Sequence, residues 1–195
     1  MRLLSFSIAV VVALAFAGPA VLATANADEA KQVSLKSAAL DSMFAELRRA
    51  KTDRTAGEIA DRIKTEWNQS GSATVDLLMQ WASEAMEKKD FPVALDFLDQ
   101  VVVLKPEFAE GWNRRATLHF LAGNYSKSMT DIERTLALEP RHFGALSGMG
   151  MIFLDLGKKE PALAAYRKVL DVYPQLRDIQ KQVGDLEEQL AGSRI

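Results

Sequence analysis

The sequence predicts an all-α chain, a solenoid of antiparallel helix pairs with a C-terminal capping helix. Two observations carry the prediction. Pro106, Pro140 and Pro174 stand 34 residues apart, closing the similar phrases VVVLKP, LALEP and LDVYP. A fixed period of that length marks stacked supersecondary units rather than one globular pattern. Aligned on these prolines, the units are Val75–Phe108, Ala109–His142 and Phe143–Leu176, and small and large residues recur within them at fixed places.

Composition narrows the function before any motif is considered. The chain has 195 residues, 24 Lys and Arg against 26 Asp and Glu, two His and no Cys. A net charge of −2 gives no general attraction to nucleic acid. The absence of Cys removes disulfide frameworks, thiolate zinc sites and thiol nucleophiles together. The two His, His119 and His142, offer little for a metal centre. No metal or cofactor is expected.

Residues 1–27 have the pattern of a signal peptide. Arg2 precedes an apolar run, Leu3 to Ala17, that is shorter than the ~20 residues a permanent bilayer span needs. Gly18-Pro19 breaks the run, and Ala25-Asn26-Ala27 places small residues where a leader peptidase requires them. Cleavage after Ala27 leaves no membrane span and makes Asp28 the first mature residue. Retention of the leader as an uncleaved anchor is the alternative. Loss of Arg2 takes the net charge to −3. An exported chain without Cys suits a bacterial periplasm, where packing alone supplies stability; the expected destination is periplasmic or secreted.

Residues 28–74 are expected to form a helical hairpin and a linker. Leu40, Phe44 and Leu47 share one helical face, and Ile59, Ile63 and Trp67 share another. Thr55 is the expected N-cap of the second helix. Counting back one period puts Phe44 at repeat position 4 and Ala60 at position 20, so the hairpin is repeat-like, although Arg48 falls where a small residue belongs. The stretch NQSGSAT (68–74) is the linker.

Three repeats follow over 75–174. Position 8 is Ala82, Ala116 and Gly150, and position 20 is Ala94, Ser128 and Ala162. Small side chains at two fixed places imply two helices crossing closely there. Position 4 (Leu78, Trp112, Leu146) and position 24 (Leu98, Ile132, Tyr166) supply the large groups beside them. Position 15 (Lys89, Gly123, Gly157) separates the helices, and Gly there permits the left-handed backbone that ends a helix. Asp90 before Phe91-Pro92 is the N-cap of a helix with Pro in its first turn. Residues 175–195 carry the stripe Leu176, Ile179, Val183, Leu186 and Leu190. A solenoid needs such a helix to cover its last apolar face; the same stripe could instead join two chains as a homodimer.

On this period and small–large pattern the chain resembles the tetratricopeptide repeat, a helix–turn–helix unit. GWNRRATLHFLAGNYSKSMTDIERTLALEP is its clearest copy, and EPRHFGALSGMG (Glu139–Gly150) is similar to small exported tetratricopeptide-repeat proteins of alphaproteobacteria. Arg115 at position 7, usually apolar, and Lys159 at position 17 depart from the pattern. The resemblance implies that the first helix of each pair lines a concave groove through positions 2, 5, 6, 9, 12 and 13. The partner-binding residues it implies are Met79, Ser83, Asn113, Arg114, Thr117, Phe120, Ser147 and Met151. Some members of the family grip a chain-terminal carboxylate with a Lys/Asn/Arg set; only Asn113 and Arg114 match it here, so that clamp is absent.

Candidate chemistry is sparse. His119, at a position held by Ala85 and Phe153 in the other repeats, reads as a packed ring. Glu139, Arg141 and His142 read as helix capping and surface charge. Gly144, Gly148 and Gly150 lie along a helix, where they let helices approach or open space on the groove side. No phosphate loop, HExxH helix or nucleophile elbow is present, and no catalytic residue is assigned. The function expected is a non-enzymatic scaffold for a protein or peptide partner, serving cell-envelope assembly or integrity. The alternatives are a repeat-scaffolded envelope hydrolase and a structural protein that self-assembles through its last helix. The leader yields a direct prediction: N-terminal sequencing of the protein from its native host returns Asp28, and recovery of Met1 would refute cleavage.

Overall fold

The computed structural model describes residues 35–192, so the leader and its cleavage site lie outside the described residues. The chain divides into two compact units, Met1–Ala39 and Leu40–Ile195. Of the first, only 35–39 are described, and they are helical. Apart from those residues, which begin the first helix, everything that follows concerns the second.

All regular structure among the described residues is helical. Helix α1 is described over 35–49. It is followed by α2 (Asp53–Trp67), α3 (Ala73–Glu87), α4 (Phe91–Leu104), α5 (Ala109–Leu121), α6 (Tyr125–Leu138), α7 (Phe143–Asp155), α8 (Lys159–Val172) and α9 (Arg177–Gly192). The three repeats are the pairs α3/α4, α5/α6 and α7/α8.

Local chemistry sets the ends of these helices. Ser72 and Asp90 accept the Val75 and Val93 N–H groups as N-caps of α3 and α4. The cap of α2 is Thr52 rather than Thr55: its Oγ1 accepts the Thr55 N–H at 3.2 Å, and the helix starts at Asp53. Lys89, Gly123 and Gly157 all turn with positive φ, at 59°, 74° and 71°. The first repeat thus makes with Lys the left-handed turn that the others make with Gly.

The crossing points are as tight as the small residues imply. Ala82, Ala94, Ala116, Ser128 and Ala162 are each no more than 2% exposed. Ser128 belongs there because its hydroxyl donates to the Ala116 carbonyl at 2.8 Å, which joins α6 to α5. Gly150 faces the ring of Tyr166 so closely that a Cβ would overlap it. The third repeat therefore pairs the smallest residue with the largest, where the others pair Ala with Leu98 or Ile132. Trp112 departs from the pattern. It is only half-buried, donates Nε1–H to the Pro106 carbonyl at 2.9 Å, and lies under the Arg115 guanidinium.

The hairpin α1/α2 does not stack on the first repeat as a preceding unit would. Phe44, Leu47, Ile59, Ala60 and Ile63 share one buried cluster with Phe143, Leu146, Val169, Tyr173, Ile179 and Leu186 from the other end of the array. Helix α2 lies across the N-terminal ends of the first helices. Asp53 accepts from Arg177 of α9 at 2.8 Å, Trp67 stacks on His142 at the start of α7 with centroids 4.0 Å apart, and Asn68 reaches Arg114 of α5. The physical reason is the Ile59–Ile63–Trp67 stripe, whose apolar face finds the exposed side of the third repeat. Helix α9 packs on α8, with Ile179 and Leu186 buried. Its stripe is thus spent on capping the array.

On the opposite side, Arg115 at the unusual position 7 forms a two-pronged pair with buried Asp131 at 2.8 Å and also reaches Asp99 of α4. Asp131 holds Arg115 above its ordinary range. His119 packs beside them, 6% exposed, with Nε2 4.0 Å from Asp131. Burial pushes its pKa below the ordinary 6.5; Asp131 works against that, and Arg115 and Lys127 reinforce it.

Two predictions follow from this packing. Gly150→Ala should cost about 1–3 kcal/mol by overpacking against Tyr166. Adding Tyr166→Leu should recover part of that loss, a coupling that a urea-unfolding double-mutant cycle measures; independent effects would contradict the proposed contact. His119, with its folded pKa depressed, binds a proton more readily when unfolded, so its contribution is complete above about pH 6.5 and falls as pH drops below it. Denaturant midpoints taken between pH 7.5 and 5.5 should fall less for His119→Phe than for the natural sequence, and equal slopes would refute the assignment.

Candidate functional site

The site is built on α3, α5 and α7, the first helices of the three pairs, with α5 and α7 in direct contact. Its organising residue is Glu110, in the first turn of α5 and only 7% exposed. The Glu110 carboxylate accepts from Asn113 Nδ2 at 2.9 Å, from Arg114 Nη2 at 3.1 Å, and from His142 Nε2 at 3.1 Å. His142 Nδ1 accepts the Ala145 N–H at 3.1 Å as the N-cap of α7. That bond assigns the ring proton to Nε2 and makes His142 the donor to Glu110. Burial works to raise the Glu110 pKa, but the His142 and Arg114 donors outweigh it and hold the carboxyl below its ordinary range.

Arg114 makes three hydrogen bonds within the fold. Its Nη1 donates to Ser83 Oγ at 2.9 Å, and its Nη2 reaches Asn68 Oδ1 at 3.2 Å as well as Glu110. Of the eight residues implied by resemblance, Ser83, Asn113 and Arg114 therefore belong to a polar network that ties α2, α3, α5 and α7 together. Met79 needs correction: it is 7% exposed and belongs to a buried cluster with Val75, Leu78 and Ala82, so it offers a groove ligand little surface.

The remaining residues converge. Asn113, Thr117, Phe120, Ser147 and Met151 line a largely apolar hollow of about 250 Å³ between α5 and α7, floored by Ala116, Ile132 and Ala145. Gly144 and Gly148 form part of its wall. A Cβ on Gly148 would lie 3.5 Å from Ile132 Cδ1, so these glycines keep the space open. Thr117 is exposed and Met151 is 45% exposed at its mouth. The hydroxyls of Thr117 and Ser147 donate to the carbonyls of Asn113 and Phe143, leaving oxygen lone pairs toward the hollow's rim. An apolar side chain fits this space, with Asn113 and the hydroxyls available to its backbone.

Residues missed from sequence are as informative. The capping expected of Glu139, Arg141 and His142 holds, since Glu139 ends α6 and His142 caps α7, but Glu139 and His142 are buried rather than surface charge. Arg141 lies 4.1 Å from the Phe44 ring and donates to Asp41, so it fastens α1; Glu139 is 8% exposed and holds Arg141 at 2.9 Å. The network's acceptor, Glu110, is the groove-facing position 2 of the second repeat but is not among the eight implied residues. Its signal was a carboxylate at a groove-facing position one turn from Asn113 and Arg114. Among the described residues no group of three or more His, Cys, Asp or Glu is placed to hold a metal ion.

Comparison with known proteins places this architecture. A tetratricopeptide-repeat profile matches residues 144–176, the third repeat. A TPR repeat-containing protein of Rhizobium etli is 52% identical over 155 residues, covering 80% of this chain and 76% of its own length. Small glutamine-rich tetratricopeptide repeat-containing protein 2 of Saccharomyces cerevisiae is 33% identical over 97 residues, half of this chain and 28% of that protein. Among solved structures, the Sgt2 TPR domain of Aspergillus fumigatus superposes with a TM-score of 0.58 at 19% identity, covering 63% of this chain and 83% of that one. The first TPR of Spaghetti (RPAP3), bound to the HSP90 peptide SRMEEVD, superposes with a TM-score of 0.58 at 20% identity, covering 62% and 95%. With three helix pairs in register and a relative of this identity over most of both lengths, the chain belongs to the tetratricopeptide-repeat family.

Proposed function

We propose that this protein is a non-enzymatic scaffold of the bacterial periplasm that holds a segment of a partner protein in its concave groove, in the service of cell-envelope assembly or integrity. The observation that carries the reading is the apolar hollow between α5 and α7, open to solvent through Thr117 and Met151. One apolar side chain of the bound segment enters it, and Asn113, Ser147 and Thr117 meet the segment's backbone. Two things support the reading. A structure of the same fold is described as bound to a peptide, and grooves of this composition suit segments with apolar anchors. The anchor differs from a terminal carboxylate, because Arg114 is already paired and positions 5 and 9 of the first repeat are Met79 and Ser83. Export rests on the leader pattern of residues 1–27.

The test uses partner capture from envelope extract. Met151→Glu, which puts a charge at the mouth of the hollow, and Thr117→Trp, which blocks it, should each weaken capture about tenfold or more with unchanged helical circular dichroism. Lys127→Ala, on the other side of α6, should leave capture intact. Normal capture by both groove variants, with loss in Lys127→Ala, would move the function to the convex face. Arg114→Ala is a poor probe of the partner, since it also frees Asn68 and unpairs Glu110.

A further inference from the structure

A repeat array that ends in water needs a polar outer surface on its last unit. At one end of this array α9 and the α1/α2 hairpin supply the cover. At the other end no described residue covers the outer face of the first repeat.

Positions 3 and 7 face the preceding helix pair. In the second repeat a Cβ on Gly111 would lie 2.6 Å from Val101 of α4, and Arg115 donates to Asp99 of α4 at 2.8 Å. The same positions in the first repeat are Leu77 and Trp81, which are 43% and 41% exposed. Position 7 also pairs with position 23 in its own repeat. Where α4 covers it, that pair is ionic, Arg115 with Asp131 at 2.8 Å. Where nothing among the described residues covers it, the pair is aromatic: Trp81 leans on Phe97 with centroids 5.5 Å apart at 45°. Val93, 40% exposed, extends the patch. The distribution inverts what solvation alone would favour, since the water-facing copy holds the aromatic rings and the covered copy holds the charges.

We propose that this face of the first repeat is the self-association surface of the protein, and that its occupant is the same face of a second copy. Two observations select that occupant. Head-to-tail stacking is blocked because α9 closes the opposite end, which leaves a two-fold, self-complementary contact as the closed arrangement. The rim also carries both signs. Glu84, Lys88 and Asp90 border a hollow of about 360 Å³ formed with Trp81, Val93 and Phe97. A two-fold axis near Trp81 sets Lys88 of each copy against Glu84 and Asp90 of the other, whereas a rim of one sign would repel its own copy. The contact leaves the α5/α7 hollow free, so it is independent of the groove reading.

Sedimentation equilibrium of the purified protein tests it. The expected mass is twice that of one chain. Trp81→Glu should weaken self-association at least tenfold, and Val93→Lys, which disturbs no buried contact, should act in the same direction; both should retain the helical circular dichroism of the parent. Lys88→Glu should also weaken the dimer, and Glu84→Lys added to it should restore association, which a merely apolar contact would not do. A natural protein that is monomeric up to about 100 μM overturns the proposal, even if a different protein covers the face. A Trp81→Glu or Val93→Lys protein that folds and dimerises normally also overturns it.

Discussion

The buried carboxylate of Glu110 is the constraint on which the arrangement of this molecule depends. A charge removed from water needs partners that replace its hydration, and losing one partner of such a group costs about 3–5 kcal/mol. Glu110 finds three donors, and each comes with a structural element attached. Arg114 brings Ser83 of α3 and Asn68 beyond α2. His142 brings the N-terminus of α7 on one ring nitrogen and presents its face to Trp67. A single carboxylate thereby fixes the rotation of α5 between its neighbours and the place where the N-terminal hairpin lands.

That landing place explains both ends of the array. Apolar stripes on α1 and α2 are buried against the third repeat and α9, and Trp67 and Asn68 at the end of α2 meet His142 and Arg114 of the polar network. Arg141 completes the attachment, with its guanidinium over Phe44 and its donors on Asp41 and Glu139. The hairpin therefore adds to the cover of the third repeat, which α9 also caps. The first repeat, adjacent to the hairpin in sequence, receives none of that cover, and among the described residues Leu77, Trp81 and Val93 stay exposed.

Periodicity made the repeats legible because each small residue answers a local steric demand within its own 34-residue unit. Ala82, Ala116 and Ala94 could be assigned without knowing what lay across the molecule, and so could the left-handed turns at Gly123 and Gly157. The position of the hairpin could not. Its stripe says only that one face is buried, and the face it meets is set by residues far along the chain, such as Phe143, Tyr173 and Ile179 of the shared buried cluster. The groove was half legible for the same reason. Position within the repeat brought Asn113, Thr117, Phe120, Ser147 and Met151 together around one hollow. Nothing local to Arg114 announced that Ser83, Asn68 and Glu110 would accept from it, and nothing local to Met79 announced that it packs inward.

The division of the groove helices into two zones has a chemical consequence for what the groove can select. The starts of α5 and α7 hold the charged and amide groups, and the charges there are paired with one another. Farther along the same helices the surface loses charge and gains Phe120, Met151 and the gap left by Gly144 and Gly148. A bound segment meets few unsatisfied charges there, so salt should affect its affinity little, and discrimination falls to the shape of one apolar side chain. Discrimination by shape alone is modest, about 1–3 kcal/mol for a methylene in an apolar pocket. A second copy joined through the first repeat would present two such grooves on one particle, and two weak, shape-selective grips on a shared partner gain by effective concentration what a single groove lacks.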